Sequence, residues 1–88
     1  MKLNKNFVLR DIAGEVMLVP IGKEAANIGG FIALNDVGAL IVKKLSEGCE
    51  RADLIKAVTD EFEIDESTAE RDTDIFIAAL NEKNIIDN

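Results

Sequence analysis

The sequence predicts an α+β domain in which three strands precede three helices. Two observations carry that prediction. Up to about Asn35 the apolar residues come in short, β-rich runs, and beyond it they follow a helical period. The 88 residues change pattern once and show no internal repeat, low-complexity segment or linker, so residues 1–88 read as a single domain. A hydrophobic fraction of 48% is ample for one core and argues against disorder. A chain of this size buries about two-thirds of its unfolded surface and has modest net stability.

Phe7 to Ile12 is the first expected strand, with Phe7 and Leu9 on one face and Val8 and Arg10 on the other. Ala13-Gly14 supplies a turn. Val16-Met17-Leu18-Val19 follows as a more buried strand, ended by Pro20 and Gly22. Gly22 to Gly30 reads as a loop, and its Gly29-Gly30 pair leads into a third strand, Phe31-Ile32-Ala33-Leu34.

Asn35 is a good N-cap, and Asp36 places a negative charge where the helix dipole favours it. Val37, Leu40, Ile41 and Leu45 then share one face, and Gly48 is placed to end the helix. The second helix carries Leu54, Ile55, Val58 and Phe62 on one stripe. Its start is weakly marked, because neither Cys49 nor Glu50 is a favoured cap. The third begins at Asp65 or at Ser67, the latter forming a capping box with Glu70, and runs to about Lys83. Asn84 suits the left-handed residue that closes a helix, after which Ile85-Ile86 folds back onto the core.

The third helix carries the most functional information. Ile75-Phe76-Ile77-Ala78-Ala79-Leu80 are six consecutive apolar residues, which at roughly 100° per residue encircle the axis. One small layered core covers only part of that circumference. The remainder must face the sheet, a second copy of the chain, or a ligand groove. A three-stranded sheet also has two edges, each with unpaired backbone N–H and C=O groups. An edge beside an apolar helix forms a slot for an extended peptide, in which main-chain hydrogen bonds give affinity and alternate side chains give specificity.

The inventory of reactive groups excludes much else. With no His, no ordinary His-based general base, triad or zinc site is available. Cys49 stands alone, without a disulfide partner or an activating base. The carboxylates at Asp60-Glu61, Asp65-Glu66 and Glu70/Asp72/Asp74 fit solvated helix faces and caps better than an acid–base pair. Asp60 to Asp65 lacks the spacing and Gly of a calcium loop, and the Gly22, Gly29 and Gly30 segment lacks the Lys of a phosphate loop. No catalytic residue, metal or cofactor is expected, and the domain reads as a non-enzyme. A net charge of −7 argues against nucleic acid and against anionic lipid as partners. Arg10, Asp11 and Glu15 interrupt the N-terminal stretch before any signal-peptide core forms, and the longest apolar runs are six residues, so a cytoplasmic protein is expected.

The ordered set of short motifs resembles the family of coenzyme PQQ synthesis protein D (PqqD) and the wider group of RiPP recognition elements, which serve ribosomally made, post-translationally modified peptides. Its carriers are Phe7-Val8-Leu9-Arg10-Asp11-Ile12-Ala13-Gly14-Glu15 with Leu18-Val19-Pro20, then Leu34-Asn35-Asp36-Val37-Gly38-Ala39 and Glu47-Gly48. Phe62, Ile64-Asp65, Arg71-Asp72, Phe76 and Leu80 follow, ahead of Asn84-Ile85-Ile86. The resemblance covers nearly the whole chain. It departs at Val37, where Thr is common, at Cys49, where a capping hydroxyl is common, and at Asn84, where Gly is common.

The resemblance implies a winged-helix-like fold, with an N-terminal three-stranded antiparallel sheet followed by a three-helix bundle (βββααα). It implies that a leader peptide of a precursor adds to the edge of the third strand and lies against the third helix. A modifying enzyme, often a radical S-adenosylmethionine (radical SAM) enzyme, would be the second partner, and the domain would hold no cofactor. Carried onto this sequence, the peptide site is Phe31, Ile32, Ala33 and Leu34 with Arg71, Asp72, Ile75, Phe76 and Ala79. Phe76 has core as its alternative role.

Two rival readings remain at the level of sequence. A winged helix that reads DNA would need a basic third helix, yet from Asp65 to Lys83 six acidic residues face two basic ones. The second rival is a structural module whose apolar helix face and open strand edge serve a homodimer.

Overall fold

The computed structural model describes residues 1–28 and 30–87, so Gly29 of the expected loop lies outside the described residues. The fold is α+β and winged-helix-like, with an antiparallel sheet followed by a helix bundle.

β1 (Lys2–Leu3) is followed by the hairpin of β2 (Phe7–Ile12) and β3 (Glu15–Pro20), whose register runs from Phe7 opposite Pro20 to Ile12 opposite Glu15. The hairpin turns through Ala13 and Gly14 at φ 54° and 85°. Positive φ at both central residues matches the right-handed twist of the strands, and Gly14 adopts it without steric cost. Asp11 reinforces the turn by accepting from the Gly14 N–H at 3.1 Å. Phe7 and Leu18 sit in the core while Arg10 is exposed, as the two-residue alternation requires.

The segment after β3 corrects the expected loop. α1 (Lys23–Ile28) occupies most of it and packs against β3. Lys23-Glu24-Ala25-Ala26 are strong helix formers, and Gly22 at φ 59° turns the chain into them. The third sheet strand, β4 (Ile32–Ala33), is shorter than the expected Phe31–Leu34. It pairs antiparallel with β3, giving the order β2-β3-β4, and Leu34 prolongs the pairing by donating its N–H to the Val16 carbonyl at 3.0 Å.

α2 (Asp36–Glu47) starts at Asn35, whose side chain accepts from the Gly38 N–H at 2.8 Å, and ends at Gly48 with φ 85°. α3 (Arg51–Phe62) starts at Glu50, whose N–H donates to the Asp53 carboxylate at 2.9 Å. Glu63, at φ 51°, takes the left-handed position that closes it. α4 (Glu66–Glu82) is capped by Asp65 and not by Ser67. The Asp65 carboxylate accepts from the Thr68 N–H and from the hydroxyls of both Ser67 and Thr68, so Ser67 supports the cap instead of forming it.

The end of α4 is a Schellman motif. Asn84 is left-handed at φ 59°, its N–H donates to Asn81 O at 3.0 Å, and the Ile85 N–H donates to Leu80 O at 2.9 Å. This reversal buries Ile85 and Ile86 and forms β5 (Ile86–Asp87), which pairs with β1 in a second, two-stranded sheet that the sequence pattern does not show. Asn4 ties the pair together through its N–H to Ile85 O and its Nδ2 to Asn84 O, both at 2.8 Å. The core lies between the inner face of the sheet and the helices, filled by Leu18, Ile41, Leu45, Leu54, Val58 and Ile85.

Candidate functional site

The hydrogen-bonding phase of β4 decides what its outer edge offers. In an antiparallel pair, residues alternate between those bonded to the partner strand and those directed away from it. The Leu34 N–H bonds Val16, and the register sets Ile32 against Leu18 and Ala33 against Met17. Leu34 and Ile32 therefore hold β3, while the Ala33 N–H and C=O point to the other side. Among the described residues no strand pairs with that side. The side chains alternate as well. Ile32 and Leu34 pack against the core, whereas Ala33 is exposed and Phe31, just before the strand, is 62% exposed.

Asn35 directly follows Leu34, and there an open groove of about 360 Å³ begins. Asn35, Val37 and Gly38 at the start of α2 form one wall; Asp72, Ile75, Phe76 and Ala79 of α4 form the other. The α4 residues have the spacing i, i+3, i+4, i+7 of one helix face. Ile75 is 63% exposed, and Ala78 and Ala79 are exposed too, while Leu80 is buried and Phe76 and Ile77 are half-buried against the core. The fold thus leaves part of the apolar girdle uncovered. Phe76 serves both roles, packing against the core and lining the groove.

Gly38 permits this arrangement. A β-carbon built there would lie 3.2 Å from Cζ of Phe76 and 3.3 Å from the Asn35 side-chain oxygen. Glycine inside a helix costs about 0.5–1 kcal/mol relative to alanine, so its presence in the first turn of α2 marks a close approach. That signal was legible in the sequence, but the partner was not. Asn35, expected as a cap, and Val37, expected as core, join Gly38 as lining residues that sequence reasoning did not assign to the site.

Of the expected site residues, the structure gathers Asp72, Ile75, Phe76 and Ala79 in the groove and sets Phe31, Ile32, Ala33 and Leu34 along β4 and its flanks. Arg71 is exposed, and its Nε lies 3.6 Å from the Asp72 carboxylate without forming part of the lining. Asp74 is occupied elsewhere, gripped by Arg51 through two bonds of 2.7 and 2.8 Å that hold its carboxyl below the usual range. Desolvation by burial pushes the Cys49 thiol up, which disfavours the nucleophilic thiolate. Among the described residues, neither wall of the groove carries a thiol, hydroxyl or basic side chain. Its chemistry is shape, apolar surface and one carboxylate.

The family model of coenzyme PQQ synthesis protein D (PqqD) matches residues 8–86. The chain belongs to the PqqD family. Two solved structures resemble it along nearly its whole length, and no curated protein matches it. TbiB1, solved in complex with the TbiA(beta) leader peptide, is 30% identical with a TM-score of 0.82, over 100% of this chain and 96% of that one. Lasso peptide synthetase B1, complexed with the leader peptide, is 30% identical with a TM-score of 0.73, over 92% of this chain and 89% of that one. In this PqqD-family domain the apolar groove lies between the start of α2 and α4, and Asn35, which lines it, stands two residues beyond the end of β4.

Proposed function

We propose that this domain recognises the leader peptide of a ribosomally made precursor, takes it as a further strand on the outer edge of β4, and presents it to a modifying enzyme. The observation that carries this reading is the open Ala33 edge lying next to an apolar groove of about 360 Å³. The leader-peptide complexes of two similar proteins support it. Each main-chain hydrogen bond contributes only about 0.5–1.5 kcal/mol net, whereas micromolar affinity requires about 8 kcal/mol. Side chains entering the groove against Ile75, Phe76 and Ala79 must supply the rest.

In this reading the domain does no chemistry, needs no cofactor, and acts as a cytoplasmic carrier for an enzyme of the radical SAM class. Calorimetric titration with synthetic leader segments from precursors encoded near the gene tests it, alongside amide NMR shifts at Phe31 to Leu34. Ala33→Pro is the decisive variant, because it removes an outward N–H while Ile32 and Leu34 keep their bonds to β3. Loss of peptide binding with an unchanged circular dichroism spectrum is expected. Undiminished binding by this variant sinks the edge-strand reading, and light scattering that shows the same face closed by a second copy would favour the homodimer instead.

A further inference from the structure

We propose that Asp72 makes the groove selective for a peptide carrying a basic residue two positions from an apolar anchor; this rests on the peptide reading above. Among the described residues that line the groove, Asp72 is the one charged side chain, and the others are apolar, glycine or the capping Asn35. It stands at one end of the α4 wall, with Ile75 and Phe76 next and Ala79 at the far end. Seven helical residues advance about 10.5 Å, a distance that an extended chain covers in about three residues. Side chains of an added strand that face α4 recur every second residue, about 6.6 Å apart. Asp72 and Phe76 are separated along the helix by about 6 Å. An apolar side chain seated against Phe76 therefore sets a neighbouring inward-facing side chain at Asp72.

The electrostatics choose the sign of that side chain. Arg71 approaches Asp72 only at 3.6 Å, and the two side chains are 69% and 50% exposed, so water screens the pair and leaves the carboxylate free to accept a closer cation. Arg51 is committed to Asp74. The N-terminus of α2, which would attract an anion to the opposite wall, is capped by Asn35 and carries Asp36 in its first turn. From Asp60 to Asp74 the chain holds eight acidic residues and one basic one, and this field steers a cationic segment towards α4. A peptide laid along the groove also displaces water, which strengthens its pairing with Asp72.

Selection of displayed random peptides of about a dozen residues, on the wild-type domain, Asp72→Asn and Asp72→Lys, tests the proposal. Wild type should enrich Lys or Arg two positions from an apolar residue. Asp72→Asn should lose that preference yet retain the apolar one, and Asp72→Lys should exchange it for Asp or Glu. For a selected Lys peptide, affinity for Asp72→Asn should fall about two- to fivefold, with the gap closing at high salt. Apolar enrichment with no basic preference on wild type overturns the role of Asp72 and leaves the peptide reading standing. Failure to enrich any alternating apolar pattern overturns the peptide reading itself, and this inference with it.

Discussion

Gly38 and Phe76 meet so closely that a single added methyl group at Gly38 would stand 3.2 Å from the Phe76 ring. This contact joins the start of α2 to the middle of α4 and brings the two walls of the groove together. Gly38→Ala gains about 0.5–1 kcal/mol of helix propensity but must push the ring aside. Urea denaturation should show stability within about 1 kcal/mol of wild type, while calorimetry shows severalfold weaker peptide binding. Unchanged affinity would mean that the ring position does not shape the site.

Ile75→Glu should abolish peptide binding with little cost to folding. The side chain is 63% exposed, so its replacement removes few native contacts. An apolar side chain that a peptide buries fully contributes about 1.5–3 kcal/mol, or roughly ten- to a hundredfold in affinity, and a buried carboxylate adds a penalty. Titration of a peptide that binds wild type checks this, with circular dichroism as the control.

Thr73 is fully buried on the core side of α4, and its hydroxyl has no hydrogen-bond partner among the described residues. Burying such a group costs about 1–3 kcal/mol, and valine matches its shape without the hydroxyl. Thr73→Val should therefore raise the melting temperature by about 4–8 °C, the shift produced by about 1 kcal/mol in a domain of this size. A lower melting temperature would show that the hydroxyl is satisfied in solution.

Asp65 gives the fold a defined acid sensitivity. The Ser67 hydroxyl first, then the hydroxyl and N–H of Thr68, hold its carboxyl down to about 2 against an ordinary value of 3.8. A group whose folded pKa is depressed contributes stability that is complete above its unfolded pKa and lost as pH falls through the folded one. The contribution should therefore be intact above about pH 4 and disappear towards pH 2, with Asp74 beside Arg51 acting in the same direction. Asp65→Asn keeps an acceptor for the cap but cannot titrate. Its urea midpoint should fall less than that of wild type between pH 5 and pH 2.5. Parallel curves for the two proteins would contradict this account.

Local physics wrote much of this fold into the sequence. Asn35 caps α2 and Gly48 ends it, Ala13-Gly14 turns the hairpin, and Asn84 closes α4 so that Ile85 and Ile86 turn inward. Each depends on a preference of a few adjacent residues. The girdle from Ile75 to Leu80 was legible as apolar surface that the domain's own core cannot wholly enclose, because a helix presents every side of itself within six residues. The resemblance to the PqqD family was legible in motifs spread over the same length.

Other features were decided by contacts between distant parts of the chain. β1 and β5 pair across more than 80 residues, and two-residue strands have no periodicity to detect. β4 is a strand because β3 lies beside it, and the phase of that pairing selects Ala33 instead of Ile32 to face outward. The start of α3 depends on Asp53 reaching back to accept from the Glu50 N–H, where neither Cys49 nor Glu50 is a favoured cap. Whether Phe76 belonged to core or groove had no answer in sequence, since its role depends on the space left by Gly38 one helix away. Short-range preferences specify where elements begin and end; which backbone edge stays open and which side chains share a wall depend on long-range packing, and a linear pattern does not encode distance.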